Sequence, residues 1–203
     1  MRSFLQRFSV IRKIKENKIV RDTSLYSLGN LSSQGIALLL LPIFTRYLST
    51  EEYGILDYTN SIKSILVVFS TLSLNSFVLR HYFKLNNDND RNTLIGTVLI
   101  FVISFSGSLL LFELFLAPIV IRSLGIQVPF YPYFFIALIN SFFESIFSIP
   151  LVFLRVKRKA RLFVAATVGN SLLALILGLI LVIYFEWGVL GRYYGVLVSN
   201  IIF

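Results

Sequence analysis

LYSLGNLSSQGIALLLLPIF (residues 25–44), TRYLSTEEYG (45–54) and ILDYTNSIKSILVVFSTLSLNSFVL (55–79) decide the fold. The first and third are apolar runs with a few polar residues inside them, joined by a short aromatic, charged connector. Each reaches the ~20 residues that cross a bilayer core. The remainder repeats the arrangement, with runs at about 24–44, 55–79, 93–117, 133–154 and 162–185 and a sixth from about 193 to 203. The eleven residues of the last run rise only ~16 Å, half a bilayer, so it reads as an incomplete span. The expected fold class is all-α: a polytopic transmembrane helix bundle of five complete spans and a truncated sixth. Pro42 is expected to distort or end the first helix, and Thr50 to cap the turn that follows it.

Composition supports this reading. Of 203 residues, 56% are hydrophobic and 14% charged, with a mean hydropathy of +0.79, too little charge to coat a soluble domain. The chain has no Cys and one His, so thiolate and histidine-built metal sites lack their ligands, and no cofactor is expected. The net charge of +9 would suggest nucleic acid in a soluble protein, but here its placement carries the information, and no nucleic-acid partner is expected. Fifteen of the 19 Lys and Arg fall in residues 1–22, 80–92 and 155–161, whereas Arg46, Arg122 and Arg192 lie on the other side and Lys63 lies inside a span. By the positive-inside rule the N terminus is expected on the cytoplasmic side of the membrane. In residues 1–22, Phe4, Phe8, Ile11 and Ile14 can share one helix face above a basic one. That fits an interfacial helix on anionic membrane lipids, or a plain basic tail. No cleavable leader pattern is present.

The polar residues inside the spans are the functional candidates. Asn30 and Gln34 lie on one face of the first span, Asn60 and Lys63 on one side of the second, and Asn140, Glu144 and Ser148 at i, i+4, i+8 on the fourth. Ser and Thr at such positions commonly only pack helices. Ionisable groups are costly at depth and face a cavity or a partner. Glu144 is therefore either an ion-coupling or gating carboxylate or a structural acid between helices. Lys63 is either a lumen cation for an anion or a lysine snorkelling to the headgroups. Glu113 and Asp57 read as interfacial, and Arg46, Arg80 and His81 as span-end anchors and rim contacts. Gly191 and Gly195 lie too near a span end to define a dimer motif. Every connector is too short for an extramembrane catalytic domain.

Leu41–Tyr58, LPIFTRYLSTEEYGILDY, resembles the segment after the first span of bacterial polysaccharide (O-antigen and capsule repeat-unit) flippases, in the multidrug and lipid-linked oligosaccharide exporter superfamily. VLRHYF at 78–83 and IPLVFLRVKRKARLF at 149–163 agree with it. The resemblance implies a two-lobe, alternating-access exporter of which this chain is the N-terminal lobe. It also implies an undecaprenyl-diphosphate-linked oligosaccharide as partner, and a C-terminal lobe or second subunit to complete the cavity. Carried onto this sequence, Arg46, Lys63, Arg80 and Arg122 become candidates for diphosphate or acidic-sugar contact, and Glu144 for ion coupling. The expected function is therefore export, not enzymatic catalysis. Three alternatives stay open: a membrane polymerase or ligase for lipid-linked glycans, an exporter of drugs or other lipids, and a packing scaffold with no cavity.

Overall fold

The computed structural model describes residues 18–203, so all but the last five residues of the interfacial helix expected over residues 1–22 lie outside the described residues. The described chain is helical throughout. Helix α1 is Lys18–Tyr47, α2 Thr50–Thr71, α3 Leu74–His81, α4 Asp88–Ser123, α5 Phe135–Val156, α6 Ala160–Leu179 and α7 Gly188–Ile202. One π-helical turn, Phe130–Phe134, leads into α5, and another, Ile180–Tyr184, extends α6. Four helical stretches are long and apolar enough to cross a membrane: Arg21–Tyr47, Asp88–Ser123, Phe130–Val156 and Ala160–Tyr184. The bent pair α2–α3 makes a fifth when counted as one span. The chain is thus an all-α, multi-pass membrane bundle.

Several local expectations are corrected. Pro42 does not end α1, which runs on to Tyr47. The cap of α2 is Ser49 rather than Thr50. Its hydroxyl accepts from the Glu52 N–H at 3.2 Å, and the Glu52 carboxylate accepts from the Ser49 N–H at 2.9 Å, completing a capping box. The connector between the first two spans therefore shrinks to Leu48–Ser49. The second span is not one helix. It breaks at Leu72 and Ser73, both left-handed at φ +45° and +57°, and bends by 43°. Left-handed backbone costs a residue with a Cβ ~1–2 kcal/mol, so surrounding packing must hold this break. Pro118 does not end the third span, because α4 continues to Ser123. The final helix starts at Gly188, five residues before the expected boundary.

Helix α5 is central, packing against α2, α3, α4, α6 and α7, while α1 lies along α6 rather than beside α2. Two apolar clusters close the ends of the bundle. One joins Phe44, Leu48, Leu56, Ile136, Val189 and Tyr193; the other joins Val78, Tyr82, Val98, Val102, Ile149 and Val156. On α5, Glu144 falls between Ile136 of the first cluster and Ile149 of the second, so polar groups occupy the middle of the bundle. Leu38, Leu39, Leu111 and Phe115 point outward at 69–74% exposure, a surface that water would not tolerate and lipid tails accept.

The α6–α7 seam shows why two glycines lie four apart. A Cβ on Gly195 would stand 2.6 Å from the Gly178 N and 3.0 Å from the Ala174 carbonyl oxygen, and one on Gly191 2.8 Å from the Leu181 carbonyl carbon. Gly191 and Gly195 therefore form a small-residue packing face inside the bundle. Ser199 Oγ donates to the Asn170 carbonyl at 2.6 Å and Asn170 Nδ2 to Asn200 Oδ1 at 3.1 Å across the same seam.

Candidate functional site

Between the two apolar ends, α1, α2, α5, α6 and α7 enclose a cavity of about 270 Å³. Its charged lining is Lys63 from α2, Glu144 from α5 and Arg192 from α7, with Ser33, Asn170 and Asn200 supplying neutral polar groups. Helical periodicity turns these residues inward. Lys63 lies one turn beyond the fully buried Thr59, whose hydroxyl is hydrogen-bonded to the Tyr193 hydroxyl. Glu144 lies one turn beyond the fully buried Asn140. The α2–α5 and α2–α7 contacts thus fix the angle at which both charges enter the cavity.

Lys63 Nζ stands 2.8 Å from Glu144 Oε2, with 15% of the lysine side chain and 40% of the glutamate side chain exposed. Two residues from separate spans are thus joined as one ion pair at membrane depth. Lys63 is turned to Glu144 rather than to the headgroups, and Glu144 faces an open volume rather than a closed helix interface.

Arg192 was expected at the outer interface. Because α7 begins at Gly188, it instead sits one turn inside that helix and reaches the cavity. Its guanidinium lies over the Phe44 ring at 5.2 Å, and its Nη1 donates to the Ala174 carbonyl at 3.4 Å. Among the described residues the ion pairs are Lys63–Glu144, Arg21–Asp22 and Arg91–Asp88, so Arg192 has no carboxylate partner. Two cations therefore share the cavity with one acid. A signal for Arg192 existed in the sequence: Gly191 and Gly195 at helical spacing place it inside a packed helix rather than before one.

The other nominated residues disperse. Asn30 and Gln34 line an adjoining space of about 310 Å³ that shares Ser33, Phe147, Asn170 and Ser171 with the central cavity, so they extend it along the α1–α6 seam. Asn60 is half-buried one turn from Lys63 but lines neither space. Asn140 lies in a dry helix interface, where its Nδ2 donates to the Ile136 and Tyr193 carbonyls at 3.2 and 3.3 Å. Ser148 accepts from Asn75 Nδ2 at 3.2 Å, tying α3 to α5 just after the break in the second span. Arg46 and Arg80 are exposed at helix ends, away from the cavity. Arg122 closes α4, also apart from it. Glu113, read as interfacial, lies ten residues before the end of α4 in a second, apolar space of about 360 Å³. No group of three His, Cys, Asp or Glu able to hold a metal occurs among the described residues.

The class defined by this geometry is a multi-pass membrane protein with a charged cavity at mid-depth. Residues 19–203 match the family of polysaccharide biosynthesis proteins, and the chain belongs to that family. The membership accords with the expectation of a protein that is not an enzyme. Two similar proteins come from Haemophilus influenzae (strain ATCC 51907 / DSM 11121 / KW20 / Rd). One, described as an uncharacterized membrane protein, is 33% identical over 94 residues, covering 46% of this chain and 23% of that protein. The other, Lsg locus putative protein 1, is 27% identical over 143 residues, covering 70% and 32%. The match therefore spans less than a third of either relative's length. No solved structure matches the chain.

Proposed function

We propose that this chain is one lobe of an exporter that moves lipid-linked oligosaccharide repeat units across the cytoplasmic membrane for surface polysaccharide assembly. The observation that carries the reading is the Lys63–Glu144 pair beside Arg192 in a membrane-depth cavity. An anionic diphosphate or acidic sugar entering there meets two cations, and Glu144 holds the place of that anion on Lys63 while the cavity is empty. Exchange of one counter-ion for the other frees Glu144, which makes the carboxylate a natural point of coupling to an ion gradient. Asn30, Gln34, Ser33 and Asn170 offer neutral hydrogen-bonding groups alongside, suited to sugar hydroxyls. Asn60 stands one turn away, and Asn140 acts through the position of α7 rather than by contact. Arg46 and Arg80 serve at the rims.

In this reading α7 belongs to a sixth span, the N terminus faces the cytoplasm, and the natural partner lipid is undecaprenyl-diphosphate-linked. A second lobe or subunit completes the cavity, since rocking of two halves around a central site is how such bundles alternate access. Family membership supports the polysaccharide assignment.

Delivery of lipid-linked oligosaccharide to the outer leaflet, measured with full-length protein in vesicles, tests this reading. Lys63→Gln and Arg192→Gln are each expected to lower the rate about tenfold or more, in keeping with loss of a charge-assisted contact, with Arg46→Gln much closer to wild type. Wild-type rates in both cavity variants would remove the site, and failure of the full-length protein to move the lipid would remove the function.

A further inference from the structure

A second charged cavity lies at the opposite end of α1, separate from the membrane-depth site. It measures about 400 Å³ and is lined by Arg21 and Asp22 from the start of α1 and by Arg158, Lys159 and Arg161 from the α5–α6 turn. Four cations thus surround one acid. Asp22 is buried and held sideways by Arg21, whose Nη2 is 3.6 Å from its Oδ1. Arg158 adopts φ +53° to make the tight turn, and the exposed Arg158, Lys159 and Arg161 face one mouth. Leu25 and Leu162 continue the same wall toward the membrane-spanning part of α1 and α6.

Behind the cavity lies an aromatic contact that joins α1 to α6. Arg155 lies over the Phe163 ring at 4.5 Å, and Tyr26 packs edge-on against that ring at 5.2 Å. Phe163 is fully buried. Arg155 Nε, Tyr26 Oη and Asp22 Oδ2 are buried with no hydrogen-bond partner among the described residues. Where two spans emerge into the headgroup layer, such a basic recess with apolar flanks matches a phosphodiester with acyl chains attached.

We infer that this recess binds the headgroup of an anionic phospholipid. Its phosphate sits among Arg158, Lys159 and Arg161, its acyl chains run down past Leu25 and Leu162, and Asp22 accepts from a headgroup hydroxyl. The lining carries three more positive than negative charges, which selects an anionic lipid over a zwitterionic one. Bound lipid would add a link between the start of α1 and the α5–α6 turn beside the Tyr26–Phe163 contact.

The test uses full-length protein in nanodiscs and in detergent, with phosphatidylglycerol, phosphatidylcholine and inorganic phosphate as separate probes. Phosphatidylglycerol is expected to bind at least about tenfold more tightly than phosphatidylcholine, and the combined variant R158Q/K159Q/R161Q to lose that preference. The charge-keeping variant R158K/R161K should retain it. The variant K84Q/R91Q, which removes two basic residues at the same end of the bundle but outside the recess, should bind within about twofold of wild type. Retention of phosphatidylglycerol by the triple glutamine variant, or equal binding of the two lipids, would overturn the site. Displacement of the lipid by inorganic phosphate at comparable affinity would show a free-anion site instead.

Discussion

Loss of one member of the Lys63–Glu144 pair strands the other in a low-dielectric setting. At 2.8 Å the attraction is on the order of 6 kcal/mol at an effective dielectric near 20, before the cost of desolvating both groups is subtracted. Removing one partner from a fully buried pair costs ~3–5 kcal/mol, and from an exposed pair ~0–1 kcal/mol. With two fifths of the Glu144 side chain open, we expect ~1–3 kcal/mol for Lys63→Gln or for Glu144→Gln. The double variant should cost clearly less than the sum, because it leaves no unpaired charge. A double-mutant cycle on full-length protein, unfolded reversibly in mixed micelles, reads this coupling directly. Coupling below ~0.3 kcal/mol, the level at which independent sites are additive, would refute the ion pair as drawn. Swapping the two residues should restore stability without restoring transport, since the cation would then project from α5 instead of α2.

Further substitutions probe the scaffold. Gly195→Ala should destabilise by ~1–3 kcal/mol, because its Cβ would meet the Gly178 backbone, whereas Gly35→Ala meets nothing within 4 Å and should be neutral or slightly stabilising; thermal unfolding separates the two. Ser49→Ala removes the capping box and should cost ~1 kcal/mol by the same measurement. Ser73→Gly should stabilise by up to ~1 kcal/mol by relieving its left-handed conformation; destabilisation would mean that the break in the second span is not held as described. Asn170→Leu breaks the bond to Asn200 and should cost ~0.6–2 kcal/mol.

Hydropathy was enough to read a multi-pass helix bundle, because a helix in lipid must satisfy its own backbone and cannot hide its composition. The long apolar runs became helices close to their expected places. Helix breaks were harder to read. Pro42 and Pro118 sit inside helices that continue past them, whereas the break after Thr71 uses Leu72 and Ser73, residues with no breaking tendency of their own. Tertiary contacts, such as the Asn75–Ser148 bond beyond the break, decide such points, and they are non-local. Within the site, Lys63 and Glu144 stood out because charge at membrane depth is rare. Their pairing did not, since 81 positions separate them. Arg192 reaches the cavity because α7 begins at Gly188, before the apolar run does, and the Asn140 amide nitrogen is spent on the Ile136 and Tyr193 carbonyls at the α5–α7 interface rather than on the cavity.

The central claim is that the cavity beside Lys63 and Glu144 is open to water and receives the lipid-linked glycan. The 203 residues contain no cysteine, so a single S171C substitution reports on the cavity wall without background from this part of the protein. A membrane-impermeant thiol reagent should label S171C in full-length protein, and saturating lipid-linked oligosaccharide should slow that labelling at least about tenfold, as occupancy of a shared site requires. Ile65→Cys, on an exposed apolar face, should stay unlabelled. Absence of labelling at position 171, or labelling that the glycan lipid leaves unchanged, would contradict the account.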